Sequence, residues 1–352
     1  MSVDPTVSST TDLRSAYAAI LKPRVIEEKM LRLIRQGRIS KWFSGYGQEA
    51  IAVGVALALD ERDYILPTHR NLGVWTTRNV ELRPLFCQLM GRDGGFTKGR
   101  DRTFHFGLPD RRIIGMISHM AAMLPVACGL GVASRYRDEA IVAAAFVGDG
   151  ASREGDFHEA LNLAACWSLP VIFVLENNGY GLSTPTSDVV ATDDLAAAAV
   201  GYGMHGESVD GNDIVAVINA VSSAASRARL EHRPTLLEMK TFRMRGHEEA
   251  SGTGYVPDEL IERWKALDPV HRLERHVLDA GIVTDDDAAA LRAELETEVN
   301  EAVEFALAQP LVTSDAETER SDVFAASAPA IRPSSTSTTE RRFIDAVSDG
   351  LS

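Results

Sequence analysis

Cysteine is scarce: the 352 residues hold three, Cys87, Cys128 and Cys166, an odd number with no Cys-x-x-Cys pair. That spacing argues against a disulfide framework and a cysteine zinc site, and it fits a reducing, cytoplasmic setting. Cys128 and Cys166 fall in Ala-rich helical sequence and are expected as small core residues. Positive charge is also short, with 36 Lys and Arg against 50 Asp and Glu, a formal charge of −14. With no basic stripe to neutralise phosphates, nucleic acid is excluded as the main partner. A single diphosphate is not excluded, because a few backbone amides and one Arg hold it locally. No apolar run reaches the ~18 residues of a membrane span, so no membrane partner is expected. The opening stretch, MSVDPTVSSTTDLRSAY, has neither a basic nor an apolar region of the kind that makes a secretory signal.

What is present is apolar and periodic. Hydrophobic residues make up 45% of the chain, enough for a large core. Residues 1–12 read as a disordered lead. Residues 13–38 read as a helix with Ile26, Met30, Leu31 and Ile34 on one face, and 47–59 as a second, apolar helix. Residues 60–75 read as irregular, with Pro67 and Gly73. Residues 91–112 carry five Gly and many charges, a long loop of the kind that is usually functional or disordered. A small-residue helix follows at about 120–135. Its Gly129 and Gly131 admit a neighbouring backbone, either inside the domain or at a subunit contact. A β/α rhythm then begins: Ile141–Val147, helix 154–167, Val171–Leu175, helix 212–230 and Thr235–Met239. Continuous apolar strands alternating with helices specify an α/β fold, a doubly wound and mostly parallel sheet flanked by helices. Helices at about 258–281 and 284–309 close a domain spanning 13–309. Residues 310–339 read as a Ser/Thr/Ala/Pro linker. In residues 340–352, Phe343, Ile344, Val347 and Leu351 form an apolar helical stripe. No internal repeat is present.

The chemistry concentrates at Gly148-Asp149-Gly150. This triplet closes one apolar strand and opens a helix, the edge where open α/β sheets bind ligands. Gly148 and Gly150 let backbone approach a phosphate, and a helix N-terminus favours negative charge. Asp149 would repel a phosphate unless a divalent cation lay between them. Magnesium suits that role, since it prefers one or two carboxylates with amide oxygens, water and phosphate. The next strand ends at Asn177-Asn178-Gly179-Tyr180, 29 residues from Asp149 to Asn178, the length of one βαβ unit. Asn178 offers its side-chain oxygen to the same ion, and Tyr180 its carbonyl. A dinucleotide fingerprint is absent: Gly148–Arg153 lacks the third Gly, and Gly129–Ser134 lies within a helix. A zinc peptidase motif fails too, because His247-Glu248-Glu249 has no second His at helical spacing.

The segment GDGASREGDFHEALNLAACWSLPVIFVLENNGYGLST closely resembles the thiamine diphosphate motif of the alpha subunits of 2-oxo acid dehydrogenases. That family includes the pyruvate, branched-chain 2-oxo acid and acetoin enzymes. Further blocks resemble it in order: GQEAIAVG (47–54), THRNLG (68–73), KGRDRTFHFG (98–107), SHMAAMLPVACG (118–129), FRMRGHEEASG (242–252) and DPVHRLERHVL (268–278). The resemblance covers about residues 20–325. It implies a thiamine-diphosphate-binding fold, with thiamine diphosphate and magnesium as cofactors. By resemblance Arg70 contacts the diphosphate, with His69 beside it where relatives often carry Tyr. Ser118 and Met120 cradle the aminopyrimidine end. Gly148, Gly150 and Ala151 give backbone contacts to the diphosphate, and Asp149, Asn178 and the Tyr180 carbonyl are the metal ligands. His247 stands near the reacting carbon and helps to hold the diphosphate, and His105 is a second loop histidine of the active site. The implied reaction is decarboxylation of a small 2-oxo acid, with the acyl group passed to a lipoyl arm on an acyltransferase partner. Acetoin cleavage is the alternative, and a silent assembly partner the non-enzymatic one. The family's aminopyrimidine-activating carboxylate comes from a beta subunit, so an α2β2 assembly is expected, with this chain inactive alone. The stretch ERRFIDAVSDGLS resembles the opening helix of such a beta subunit, as though the two had been fused. One departure stands out: Glu248 and Glu249 follow His247, where several relatives carry a phosphorylatable Ser. Kinase control at that point is not expected, and the EEASGTGY segment leaves the substrate pocket undefined.

Overall fold

The computed structural model describes residues 10–101, 104–323 and 340–352. Residues 1–9 of the expected lead and 324–339 of the expected linker lie outside the described residues, as do 102–103. The chain divides into two units, Met1–Val312 and Thr313–Ser352.

In the first unit the order is α1 (Thr10–Arg35), α2 (Glu49–Ala58), β1 (Tyr64–Leu66), α3 (Leu72–Thr77), α4 (Leu82–Met90) and α5 (Met123–Tyr136). Then come β2 (Ala143–Gly148), α6 (Gly155–Cys166), β3 (Val171–Asn177) and a two-strand ribbon of β4 (Tyr180–Gly181) and β5 (Thr184–Pro185). The unit continues with β6 (His205–Asp210), α7 (Ile214–Glu231), β7 (Thr235–Lys240), α8 (Asp258–Lys265), α9 (Pro269–Asp279) and α10 (Asp285–Ala308). The five strands of the main sheet run in the order β1-β2-β3-β7-β6, and every neighbouring pair is parallel. Alternate residues of β2 and β3 face opposite ways, so each strand feeds two cores. Ala144, Phe146, Ile172 and Val174 enter a core with α1–α4, α7, α9 and α10, while Ala145, Val147, Phe173 and Leu175 enter one with α5 and α6. Burial on both faces is why these strands lack polar alternation.

Several boundaries differ from the sequence expectation. Residues 60–75 are not irregular: they hold β1 and the start of α3. β1 is too short to show a period, and β6 is an edge strand with a polar sequence, HGESVD, and only Val209 buried. The helix expected over 258–281 is two. Asp268 caps α9 by accepting from Val270 N and His271 N, both at 3.0 Å, and Pro269 occupies the first helical position. This is an N-terminal signal legible in the residues themselves. Cys128 is buried as expected, but Cys166, at the last residue of α6, is exposed. Gly131 faces Val171 and Leu169 within the domain, whereas Gly129 looks into open space. No described helix is long and apolar enough to cross a membrane.

The second unit contains α11 (Ala316–Ser321), capped by Asp315, and α12 (Phe343–Leu351). The helical stripe expected near the C-terminus is helical, and Phe343, Ile344 and Leu351 are exposed on it.

Candidate functional site

The site forms where the parallel strands end. Gly148 of β2 pairs with Glu176 of β3, so the turns that follow these two strands leave the sheet side by side. Gly150 shows how close they are: a Cβ there would lie 3.0 Å from the Gly181 Cα. Any larger residue at 150 would press on that backbone. The triplet does not open α6 directly. A 3-10 turn, Ala151–Arg153, intervenes, and α6 starts at Gly155.

Asp149 is buried, and its carboxylate accepts from the Thr186 hydroxyl. No basic side chain among the described residues makes an ion pair with it, and burial pushes its carboxyl above the usual range. A buried carboxylate in that state is a seat for a cation. Asn178 is buried beside it, and its Nδ2 donates to Gln48 Oε1 at 3.2 Å. That contact fixes the amide so that Oδ1 is the free acceptor, and it receives only a long 3.4 Å bond from Tyr180 N. The Tyr180 carbonyl accepts from Arg243 Nη1 at 3.3 Å. One carboxylate, one amide oxygen and one carbonyl are a hard, all-oxygen donor set that suits magnesium rather than zinc. No cluster of three or more His, Cys, Asp or Glu able to hold a metal occurs among the described residues.

Next to this acidic corner the site is cationic. Arg70 is buried and spans two loops, donating from Nη1 to Ser44 O at 2.9 Å and from Nη2 to His247 O at 2.6 Å. Burial and the neighbouring Arg243 lower its pKa to about 10. Arg243 is buried as well, with bonds to the carbonyls of Tyr180 and Leu182 and to the Tyr255 hydroxyl. Its Nε has no partner. Neither guanidinium makes an ion pair among the described residues, although the buried carboxylates of Glu176 and Glu27 act on Arg70, and Arg243 acts on Asp149, through space. A bound anion would give both guanidiniums a direct ionic partner.

Two histidines complete this wall. The Phe43 ring packs edge-on between them, 4.8 Å from His69 and 5.3 Å from His247. Burial, then Arg70, hold His69 well below the usual histidine range, and the same causes lower His247 to about 4. Both are neutral at pH 7. Arg70 Nη2 lies 3.2 Å from His247 Nδ1. A guanidinium only donates, so Nδ1 accepts and the ring proton sits on Nε2. His247 thus offers a neutral N–H donor. His105 stands further out, with Nε2 3.0 Å from the Ser118 hydroxyl. Ser118 is exposed, and Met120 is 57% exposed, so this end of the site is open.

The structure therefore gathers His69, Arg70, Gly148, Asp149, Gly150, Ala151, Asn178, Tyr180 and His247 at the carboxyl ends of the central strands, with His105 and Ser118 on an open rim and Met120 exposed. Sequence reasoning missed Arg243, Phe43, Gln48 and Thr186. Arg243 and Gln48 lie within the matching blocks, but nothing in their spacing marks them. It also missed Glu176, whose buried carboxylate accepts from Asn71 Nδ2 at 2.8 Å and from Thr68 Oγ1 at 3.4 Å. That residue ties the loop carrying His69 and Arg70 to β3, the strand that leads into Asn178.

Comparison with known proteins identifies the family of the chain. Residues 17–314 match the family described as "Dehydrogenase E1 component". The chain is 36% identical over 293 residues to the alpha subunit of acetoin:2,6-dichlorophenolindophenol oxidoreductase of Bacillus subtilis, covering 83% of this chain and 86% of that one. It is 36% identical over 299 residues to the 2-oxoisovalerate dehydrogenase alpha subunit of Bacillus subtilis, covering 82% and 89%. It is 32% identical over 307 residues to the pyruvate dehydrogenase E1 component alpha subunit of Porphyra purpurea, covering 84% and 88%.

Proposed function

Since this chain belongs to the dehydrogenase E1 component family, we propose that it is the alpha subunit of a 2-oxo acid dehydrogenase, an oxidoreductase that works with thiamine diphosphate and magnesium. The observation that carries this reading is two buried guanidiniums that make no ion pair among the described residues, Arg70 and Arg243, near a buried carboxylate that likewise makes none, Asp149. A magnesium diphosphate satisfies both deficits at once. Arg70 and the backbone of Gly148, Gly150 and Ala151 would hold the diphosphate. Asp149, Asn178 and the Tyr180 carbonyl would hold the metal. When bound, thiamine diphosphate supplies the nucleophilic carbon and the electron sink that decarboxylation of a 2-oxo acid requires.

The chain's own residues then have defined tasks. His247 and His69 are neutral, so they donate to an anionic group without adding charge. Phe43 packs against both of their rings. Ser118 and Met120 would meet the aminopyrimidine end, and their exposure supports a site completed by a second chain. We assign that role to a beta subunit in an α2β2 assembly, with a lipoyl-bearing acyltransferase receiving the acyl group. A second reading, acetoin cleavage, is supported by the acetoin relative, which matches as well as the 2-oxoisovalerate one.

The test is reconstitution with a beta chain. Binding of thiamine diphosphate with magnesium is measured by calorimetry, and turnover is followed with pyruvate, branched-chain 2-oxo acids and acetoin. Binding that Asp149→Ala abolishes is the expected result. A folded complex that binds no cofactor would sink the reading, and the preferred substrate separates the two activities.

A further inference from the structure

Glu27 is a buried carboxylate that the chemistry above does not use. It lies on α1 and is 1% exposed. The three hydrogen bonds that its carboxylate accepts come from one short segment. Oε2 accepts from Trp42 Nε1 at 2.6 Å and from Ser44 Oγ at 2.8 Å, and Oε1 accepts from Gly45 N at 2.7 Å. The outer side of that segment faces the site. The Ser44 carbonyl receives Arg70 Nη1 at 2.9 Å, and the Trp42 carbonyl receives Glu249 N, two residues past His247, at 3.0 Å. Between them the Phe43 ring touches both His69 and His247. Gly45 is pressed so close that a Cβ would overlap the Arg70 carbonyl. The segment thus has one fixed side, held by Glu27, and one working side, gripping Arg70 and the His247 loop.

Resting on the reading of Arg70 and His247 as anion-binding groups, we propose that Glu27 is a positioning residue that sets both of them through Trp42–Gly45. Its ionised form accepts three bonds at two oxygens, whereas a protonated carboxyl gives up part of that capacity. Burial raises the Glu27 pKa to about 7, against its three hydrogen bonds. The charged groups facing it are Glu49 on α2, whose Oε1 is held by Arg24 at 2.6 Å, and Arg70.

The experiment is binding of inorganic pyrophosphate with magnesium to the full chain, by calorimetry from about pH 5.5 to 8.5. Wild type is compared with Glu27→Gln, Glu27→Asp, Ser44→Ala and Arg70→Ala. Positioning predicts that Gln and Asp at this site both weaken binding by about tenfold at the alkaline end, the loss of one strong hydrogen bond to a charged group. The wild-type to Glu27→Gln affinity ratio falls toward one at the acid end, where wild-type Glu27 is protonated. A pure charge effect predicts the opposite: Glu27→Gln tightens the anion and Glu27→Asp changes nothing, and that result overturns the proposal. So does wild-type affinity in Glu27→Gln at alkaline pH while Arg70→Ala has lost binding. If Arg70→Ala also matches wild type, the site reading itself fails and the proposal falls with it. Should Glu27→Gln lose its cooperative melt, Ser44→Ala decides. It removes one donor to Glu27 but leaves the carbonyl that Arg70 uses, and binding unchanged from wild type counts against the proposal.

Discussion

Arg70 shows how much a single side chain organises. Its two terminal nitrogens reach carbonyls on two different loops, and one of them also fixes the tautomer of His247. A lysine carries the same charge but has one terminal nitrogen on a flexible stem, so it cannot hold both carbonyls in that planar geometry. Arg70→Lys is therefore expected to leave the chain folded and to weaken cofactor binding by roughly 2 kcal/mol, the range for a hydrogen bond to a charged group. Calorimetry on the reconstituted complex reads this directly, and undiminished affinity would mean that charge alone suffices. At this scale the sequence was informative wherever a motif fixed the spacing. Asp149 and Asn178 are set by two strand ends one βαβ unit apart. It was uninformative for Arg243 and Glu27, because their importance lies in burial and in the partners each meets, which only the folded chain reveals.

The elements show where periodicity works and where it fails. The central strands and α2, α5, α6, α7 and α10 were legible because their apolar faces are long enough to count. β1 was hidden by brevity and β6 by its exposed edge. The division between α8 and α9 was written in Asp268 and Pro269 but masked by the continuous amphipathic pattern on either side. Within α5, two glycines that look alike in sequence differ in surroundings. Gly129 meets nothing within 4 Å, whereas a Cβ on Gly131 would lie 3.0 Å from Val171 Cγ2 and 3.1 Å from Leu169 Cβ. Gly129→Ala should stabilise the chain by about 1 kcal/mol through helix propensity alone. Gly131→Ala should give no such gain, because the methyl must push aside its neighbours. Urea denaturation of the two variants distinguishes them, and equal gains would mean that the sheet yields at Val171.

At the scale of the whole molecule, a chain of net charge −14 still buries two guanidiniums, Arg70 and Arg243, at one site. The same economy raises Glu27 and Glu176 to about 7, with burial the leading cause in both. Their ordinary value is 4.5, so between about 4.5 and 7 the folded chain keeps protons that the unfolded chain has released. Stability from these two groups falls as pH rises through that window. Relative to wild type, Glu27→Gln and Glu176→Gln should therefore become steadily more stable from the acid to the neutral end, with no further change above it. Denaturation midpoints across that range check the sign, and a flat difference would mean that the carboxyls titrate normally. The thiols divide along the same boundary between inside and outside. Cys87 and Cys128 are buried, and burial raises both, Cys128 to about 12, while Cys166 is exposed at the end of α6. An alkylating reagent therefore meets one sulfur on the native chain and three on the unfolded one. The chain carries its own stoichiometric counter of unfolding, and a single attachment point for a dye at the opposite end of α6 from the Gly148–Gly150 turn.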